Sequence, residues 1–234
     1  MKTLVADDGA RISYDVWGRR DGEPVLLIQG LGTDSRGWAL QRMALGRRYR
    51  CFAPDNRGTG LSDKPPGPYS LDQMARDAIA VLDAEGVDRA HVVGASMGGV
   101  IAQIIGVLHP ERTRSLVLAC TACHHHPWRV ELLNEWAESV RVHRTLTADE
   151  LRFELVKVRV PTLVITGSQD ALTPIGDAEE LAEAIPGAQL VELRGVAHGL
   201  MVEAPNAFNG ELLHFLDTVG AHDMDVVEGA AESA

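Results

Sequence analysis

Four short apolar runs constrain the fold more than any other feature of the chain. Val25-Leu26-Leu27-Ile28, His91-Val92-Val93, Leu116-Val117-Leu118-Ala119 and Thr162-Leu163-Val164-Ile165 are continuous rather than alternating, and rich in branched side chains. Strands of this kind are buried on both faces, the mark of a parallel sheet covered by helices on each side. Ile12 to Trp17 alternates more and follows Asp8-Gly9, a hairpin signal, so an antiparallel pair is expected at the start of the sheet.

Helical patterns lie between these strands. Ser70-Leu71-Asp72-Gln73 has capping-box spacing and opens a helix expected to run to about Glu85 and stop at Gly86. Met97 to Leu108 is nearly free of charge, so that helix should be buried on most sides. Pro174 to Ile185 reads as a third helix, with Thr173 as its cap and proline at the first position, and Asn206 to Val219 as the last. The alternation predicts one doubly wound α/β domain over residues 1–219.

Two stretches break the pattern. From 124 to about 158 there is no strand signal. Trp128, Leu132, Leu133, Trp136 and Val140 form an apolar stripe at helical spacing, and Thr147-Ala148-Asp149-Glu150 is a second capping box opening a helix through about Lys157. This predicts a short helical cap inserted between strands. Residues 220–234 are acidic and rich in small side chains, so a disordered tail is expected there.

Charge and cysteine content narrow the function classes. The 22 Lys and Arg against 33 Asp and Glu give a net charge of −11, which argues against nucleic acid or an anionic membrane as partner. No run of eighteen apolar residues could form a spanning helix. Asp7 and Asp8 come before any apolar segment, so the opening residues do not read as a signal peptide. Three cysteines suit a reducing compartment, and a cytoplasmic location is expected.

The chemistry is concentrated at strand ends. Gly94-Ala95-Ser96-Met97-Gly98 joins the His91 strand to the Met97 helix. A serine at so tight a turn is held in a strained backbone with its Oγ lifted above the strand, and the glycines remove Cβ atoms that would collide. Taken alone, the pattern is also compatible with a tight packing turn, the lesser of the two readings. Gln29-Gly30-Leu31-Gly32 follows the first buried strand. It can turn the Leu31 N–H toward the serine, to form an oxyanion hole with the N–H of Met97, though alone it reads as a simple connecting loop. Asp170 lies past the Thr162 strand, and His198 past a strand at Gln189–Leu193. Each is weak singly. Their order, Ser96 then Asp170 then His198, is that of nucleophile, acid and base in one known fold, and all sit at the strand ends where open α/β sheets place ligands.

These motifs resemble those of the α/β-hydrolase family over residues 1 to about 123 and 160 to about 219. Asp55-Asn56-Arg57-Gly58-Thr59-Gly60-Leu61-Ser62 adds to the likeness: it is similar to the family's Asp-x-Arg-Gly-x-Gly-x-Ser loop. Here Asp55 is expected to brace the loop and Arg57 to bond neighbouring backbone carbonyls. The resemblance implies Ser96 as nucleophile, His198 as base, Asp170 as orienting acid, and Leu31 and Met97 as oxyanion donors, supported by Gln29, Gly30, Gly32, Gly94 and Gly98. The loop and elbow look like those of bacterial serine esterases, enol-lactonases and cofactor-free haloperoxidases. A carboxylic ester hydrolase of broad acyl range is therefore expected, needing no metal or cofactor and acting on a small ester or lactone. A lactonase or perhydrolase is the nearest alternative, and a ligand-sensing protein on the same scaffold is the alternative of another class.

The chain departs from the family at two places. Gln29 stands where many relatives have His, and the cap is shorter than usual, which would leave the pocket open. Trp128, Leu132 and Trp136 would then line the pocket, or be covered in a homodimer formed through the cap. Cys120-Thr121-Ala122-Cys123-His124 has the spacing of a haem attachment or metal site, but Cys120 ends a buried strand pattern, so buried thiols are the expectation.

Overall fold

Each buried run supplies both faces of one sheet, in register. Leu26, Ile28, Val92, Leu116, Leu118 and Val164 face one hydrophobic core, while Val25, Leu27, Val93, Val117, Leu163 and Ile165 face the other. The two sets interleave along each strand because successive strand side chains point to opposite faces. The computed structural model describes residues 1–123, 142–143 and 148–231, with side chains described for 1–123 and 150–221.

Eight strands form the sheet: β1 (Lys2–Val5), β2 (Arg11–Gly18), β3 (Glu23–Ile28), β4 (Tyr49–Pro54), β5 (Ala90–Ala95), β6 (Thr113–Ala119), β7 (Thr162–Gly167) and β8 (Gln189–Leu193). Their order is β1-β2-β4-β3-β5-β6-β7-β8. β1 and β2 are the antiparallel hairpin expected at the Asp8-Gly9 turn, β2 also runs antiparallel to β4, and the other neighbours are parallel. The chain is thus an α/β hydrolase fold.

The helices are α1 (Arg42–Gly46), α2 (Leu71–Ala84), α3 (Met97–Leu108), α4 (Ala148–Leu155), α5 (Ile175–Ala184), α6 (Leu200–Glu203) and α7 (Pro205–Ala231). α2, α3, α4 and α5 pack into one core, and α1, α6 and α7 into the other. Ser70 caps α2, accepting the Gln73 N–H at 3.3 Å. The Gln73 side chain does not reach back, however; it donates to Asp7 at 2.7 Å and Asp77 at 3.2 Å.

Three boundaries differ from the sequence reading. α4 falls inside the expected cap, yet Leu151 and Leu155 are fully buried in the core that also holds α3 and α5. It serves as part of the crossover that parallel neighbours β6 and β7 require. The rest of the expected cap, including Trp128, Leu132 and Trp136, lies outside the described residues, except that Val142–His143 pairs with Tyr69–Ser70. α5 starts at Ile175, and Thr173 does not cap it. α7 continues past Val219 to Ala231, where composition suggested an irregular tail. No proline follows Pro205, and a helix already nucleated extends at little cost per residue.

Candidate active site

Ser96 stands between β5 and α3 with φ 55° and ψ −120°, a conformation that residues with a Cβ rarely adopt. The turn closes only because its flanks lack side chains. A Cβ on Gly94 would lie 2.1 Å from the Gly98 carbonyl oxygen, and one on Gly98 would lie 2.2 Å from that of Ile28. The neighbouring strand end holds the turn from both sides. The Ser96 N–H donates to the Ala119 carbonyl at 2.9 Å, and Thr121 Oγ1 donates to the Ser96 carbonyl at 2.8 Å.

Asp170 and His198 come from the ends of β7 and β8. His198 Nε2 lies 3.0 Å from Ser96 Oγ, and its Nδ1 lies 2.8 Å from Asp170 Oδ2. An ionised carboxylate only accepts, so Nδ1 carries the hydrogen and Nε2 is left to accept from the Ser96 hydroxyl. The Asp170 side chain is 0% exposed and that of His198 27%. Burial pushes the Asp170 carboxyl up, but bonds from His198 and Thr173 outweigh it and hold it below its usual value.

Three residues whose role the sequence reading missed position this line or the loop beside it. Thr173 Oγ1 donates to Asp170 Oδ2 at 2.6 Å, and the Leu172 and Thr173 N–H groups donate to Oδ1 at 2.9 Å each. Glu203 accepts the Ala197 and Gly199 N–H groups, each at 2.9 Å, one on either side of His198. Asn56 Nδ2 donates to the Gln29 carbonyl at 2.9 Å, tying the loop after β4 to the loop after β3. An acid followed three residues later by Thr, and Glu five residues after His, were the available signals.

The loop after β3 runs beside the serine. A Cβ on Gly30 would lie 3.1 Å from Ser96 Cβ. Gln29, Gly30 and Leu31 form one wall of a cleft of about 290 Å³ that also contains Ser96 and His198; Leu172 and Met201 line it as well. Met97 is the first residue of α3, and Gly32 turns the loop at φ 72°. Among the described residues, no protein acceptor takes the N–H of Leu31 or Met97.

The Asp55 loop braces this wall. Asp55 Oδ1 accepts the Ser35 N–H at 2.9 Å and Oδ2 the Leu61 N–H at 2.8 Å. Arg57 does not bond backbone carbonyls. It pairs with Asp77 through Nε at 2.7 Å and Nη2 at 2.9 Å, and with Asp8 through Nη1 at 2.7 Å. A buried guanidinium needs counter-charge, and only carboxylates supply it. Cys120 and Cys123 are both buried, and burial raises both thiols, that of Cys123 to about 11. Among the described residues no His, Cys, Asp or Glu group is arranged to hold a metal; His124 lies outside them. No described helix is long and apolar enough to cross a membrane.

Comparison with known proteins agrees with this architecture. A family profile described as alpha/beta hydrolase fold matches residues 23–139, and one described as TAP-like protein matches 135–227. A protein of Azorhizobium caulinodans provisionally named carbamate hydrolase RutD is 32% identical, over 88% of this chain and 95% of its own length. The 3-oxoadipate enol-lactonase 2 of Acinetobacter baylyi is 30% identical, over 88% and 93%. Both alignments, 253 and 250 positions, are longer than the 234 residues of this chain, so both relatives carry residues that it lacks. Among solved structures, the enol-lactonase from Burkholderia xenovorans LB400 superposes with a TM-score of 0.80 at 27% identity, covering 92% of this chain and 100% of that one. A hydrolase from Pseudomonas aeruginosa PA01 gives 0.80 at 30%, covering 92% and 97%.

Proposed function

Because the chain belongs to the α/β-hydrolase family, we propose that it hydrolyses carboxylic esters through an acyl-enzyme on Ser96. One observation carries the reading: the unbroken line from Ser96 Oγ to His198 at 3.0 Å and from His198 to Asp170 at 2.8 Å. As Oγ attacks the ester carbonyl, His198 Nε2 takes its proton. Asp170 holds the imidazole in the right tautomer and stabilises the imidazolium. The alkoxide leaves with that proton. His198 then draws a proton from water, whose oxygen attacks the acyl carbon; as the Ser96 Oγ–acyl bond breaks, His198 returns that proton to Oγ, which frees the acid and restores the serine hydroxyl.

The oxyanion of each tetrahedral intermediate would be met by the N–H groups of Leu31 and Met97. That neither N–H has a protein acceptor among the described residues, and that Gly30 comes close to Ser96, support this assignment. Such a donor is worth about 2.7–4 kcal/mol of transition-state stabilisation in other hydrolases. The short cap read from the sequence would leave the pocket open, which favours a broad acyl range.

A lactone is a second substrate class for the same line of residues, favoured by the likeness to enol-lactonases in sequence and in structure. Turnover of p-nitrophenyl acetate and butyrate, set against a panel of lactones, tests both readings. Repeated turnover abolished by Ser96→Ala supports the enzyme. A single stoichiometric burst without turnover would replace it with a ligand-sensing protein.

A further inference from the structure

Thr173 occupies a place in the site that a helix cap or a packing residue would not need. It is 5% exposed. Its hydroxyl reaches Asp170 Oδ2 at 2.6 Å, the same oxygen that faces His198 Nδ1 at 2.8 Å, and the hydroxyl oxygen itself lies 3.5 Å from that nitrogen. With the Leu172 and Thr173 N–H groups on Oδ1, the Asp170 carboxylate accepts four bonds, and only one comes from the imidazole. The other three fix its rotation. Of these, only the Thr173 hydroxyl competes with the imidazole for the same oxygen.

We propose that Thr173 is a positioning residue of the reaction, whose hydroxyl shares Asp170 Oδ2 with His198 and sets how much negative charge the imidazole meets. The inference rests on the triad reading above. A carboxylate oxygen that already accepts a short O–H bond has less charge to offer a second donor. Without the hydroxyl, Oδ2 would offer its whole charge to the Nδ1 hydrogen, so a variant lacking it is expected to hold the imidazolium form more strongly than wild type. Among the described residues, the other titratable groups facing the pair are Cys120, after β6, and Glu203, in α6. Burial keeps the Cys120 thiol protonated, and Glu203 engages the backbone beside His198 rather than its ring.

The test is the pH profile of kcat/KM on p-nitrophenyl butyrate for wild type, Thr173→Val and Thr173→Ser. In Thr173→Val the acid limb should move up by about 0.5–1 pH unit, with kcat lowered, while Thr173→Ser restores the wild-type limb. Thr173→Ala gives the same comparison if the valine variant does not fold. An acid limb unmoved in the variant lacking the hydroxyl, or moved equally in Thr173→Ser, would overturn the proposal even if kcat fell. The His198 titration is also read by NMR in each variant. The same upward displacement is expected there, so the inference stays testable if the wild-type chain turns over no ester.

Discussion

Asn56 holds the backbone of Gln29. Its side-chain amide donates to the Gln29 carbonyl at 2.9 Å, and both residues are buried. The bond fixes the peptide that precedes Gly30, and with it the direction in which the Leu31 N–H points. If the Leu31 N–H is the oxyanion donor proposed above, Asn56→Ala should lower kcat by roughly ten- to a hundredfold with little change in KM, because such a donor acts mainly in the transition state. Steady-state kinetics on p-nitrophenyl butyrate checks this; a rise in KM at constant kcat would assign Asn56 to substrate binding instead.

Glu203 does for His198 what Asn56 does for the loop after β3. Its carboxylate accepts the N–H groups on either side of His198 without touching the ring. Glu203→Ala should cut kcat about tenfold, since two charge-assisted bonds that orient the imidazole are lost. Glu203→Gln keeps one acceptor oxygen and should fall between alanine and wild type. Equal rates in all three would exclude the positioning role.

Arg57 carries stability rather than chemistry. Its guanidinium and the Asp77 carboxylate are 6% and 4% exposed and meet through two bonds. Arg57→Ala leaves the Asp77 charge buried without its partner and should cost about 3–5 kcal/mol. Urea unfolding measures it. Asp77→Asn in the Arg57→Ala background should recover part of the loss, as removing the second charge relieves the first.

Acid should weaken the fold through Glu85. Burial raises its carboxyl, but the Lys2 and Tyr14 bonds and the Arg50 charge outweigh that and hold it below the usual 4.5. A depressed folded-state value means the stabilisation is fully present above pH 4.5 and disappears as pH falls through the folded value. The urea midpoint should therefore drop between pH 6 and pH 3, and drop less in Glu85→Gln. Equal slopes in the two proteins would remove Glu85 from the account.

The elbow tolerates no added carbon. Gly98→Ala would set a Cβ 2.2 Å from the Ile28 carbonyl oxygen. Backbone must move to relieve it, at a cost of about 1–3 kcal/mol or more. A thermal melt unchanged from wild type would show that the strand and helix can part without penalty.

How legible each feature was follows from the range of the interaction behind it. The strands β3, β5, β6 and β7 could be read because double-sided burial leaves a run of branched side chains that local sequence displays. Ser96, Asp170 and His198 could be read because each sits in a recognisable turn after a strand. Thr173 was taken for a cap because Thr-Pro before a helical pattern has that meaning locally; its bond to Asp170 depends on the carboxylate folding back over its own loop. Arg57 was misread for a similar reason. Its partners Asp8 and Asp77 are 49 and 20 residues away, and only the packed fold brings them together. α4 was assigned to the cap because an amphipathic pattern does not say which surface its apolar stripe meets.

The residues proposed as nucleophile, acid and base follow β5, β7 and β8, and β6 lies between the first two. Turnover through these residues would therefore require β8, at the margin of the sheet, to have docked. Recovery of turnover during refolding would then report assembly of that margin, an event separate from recovery of helix content.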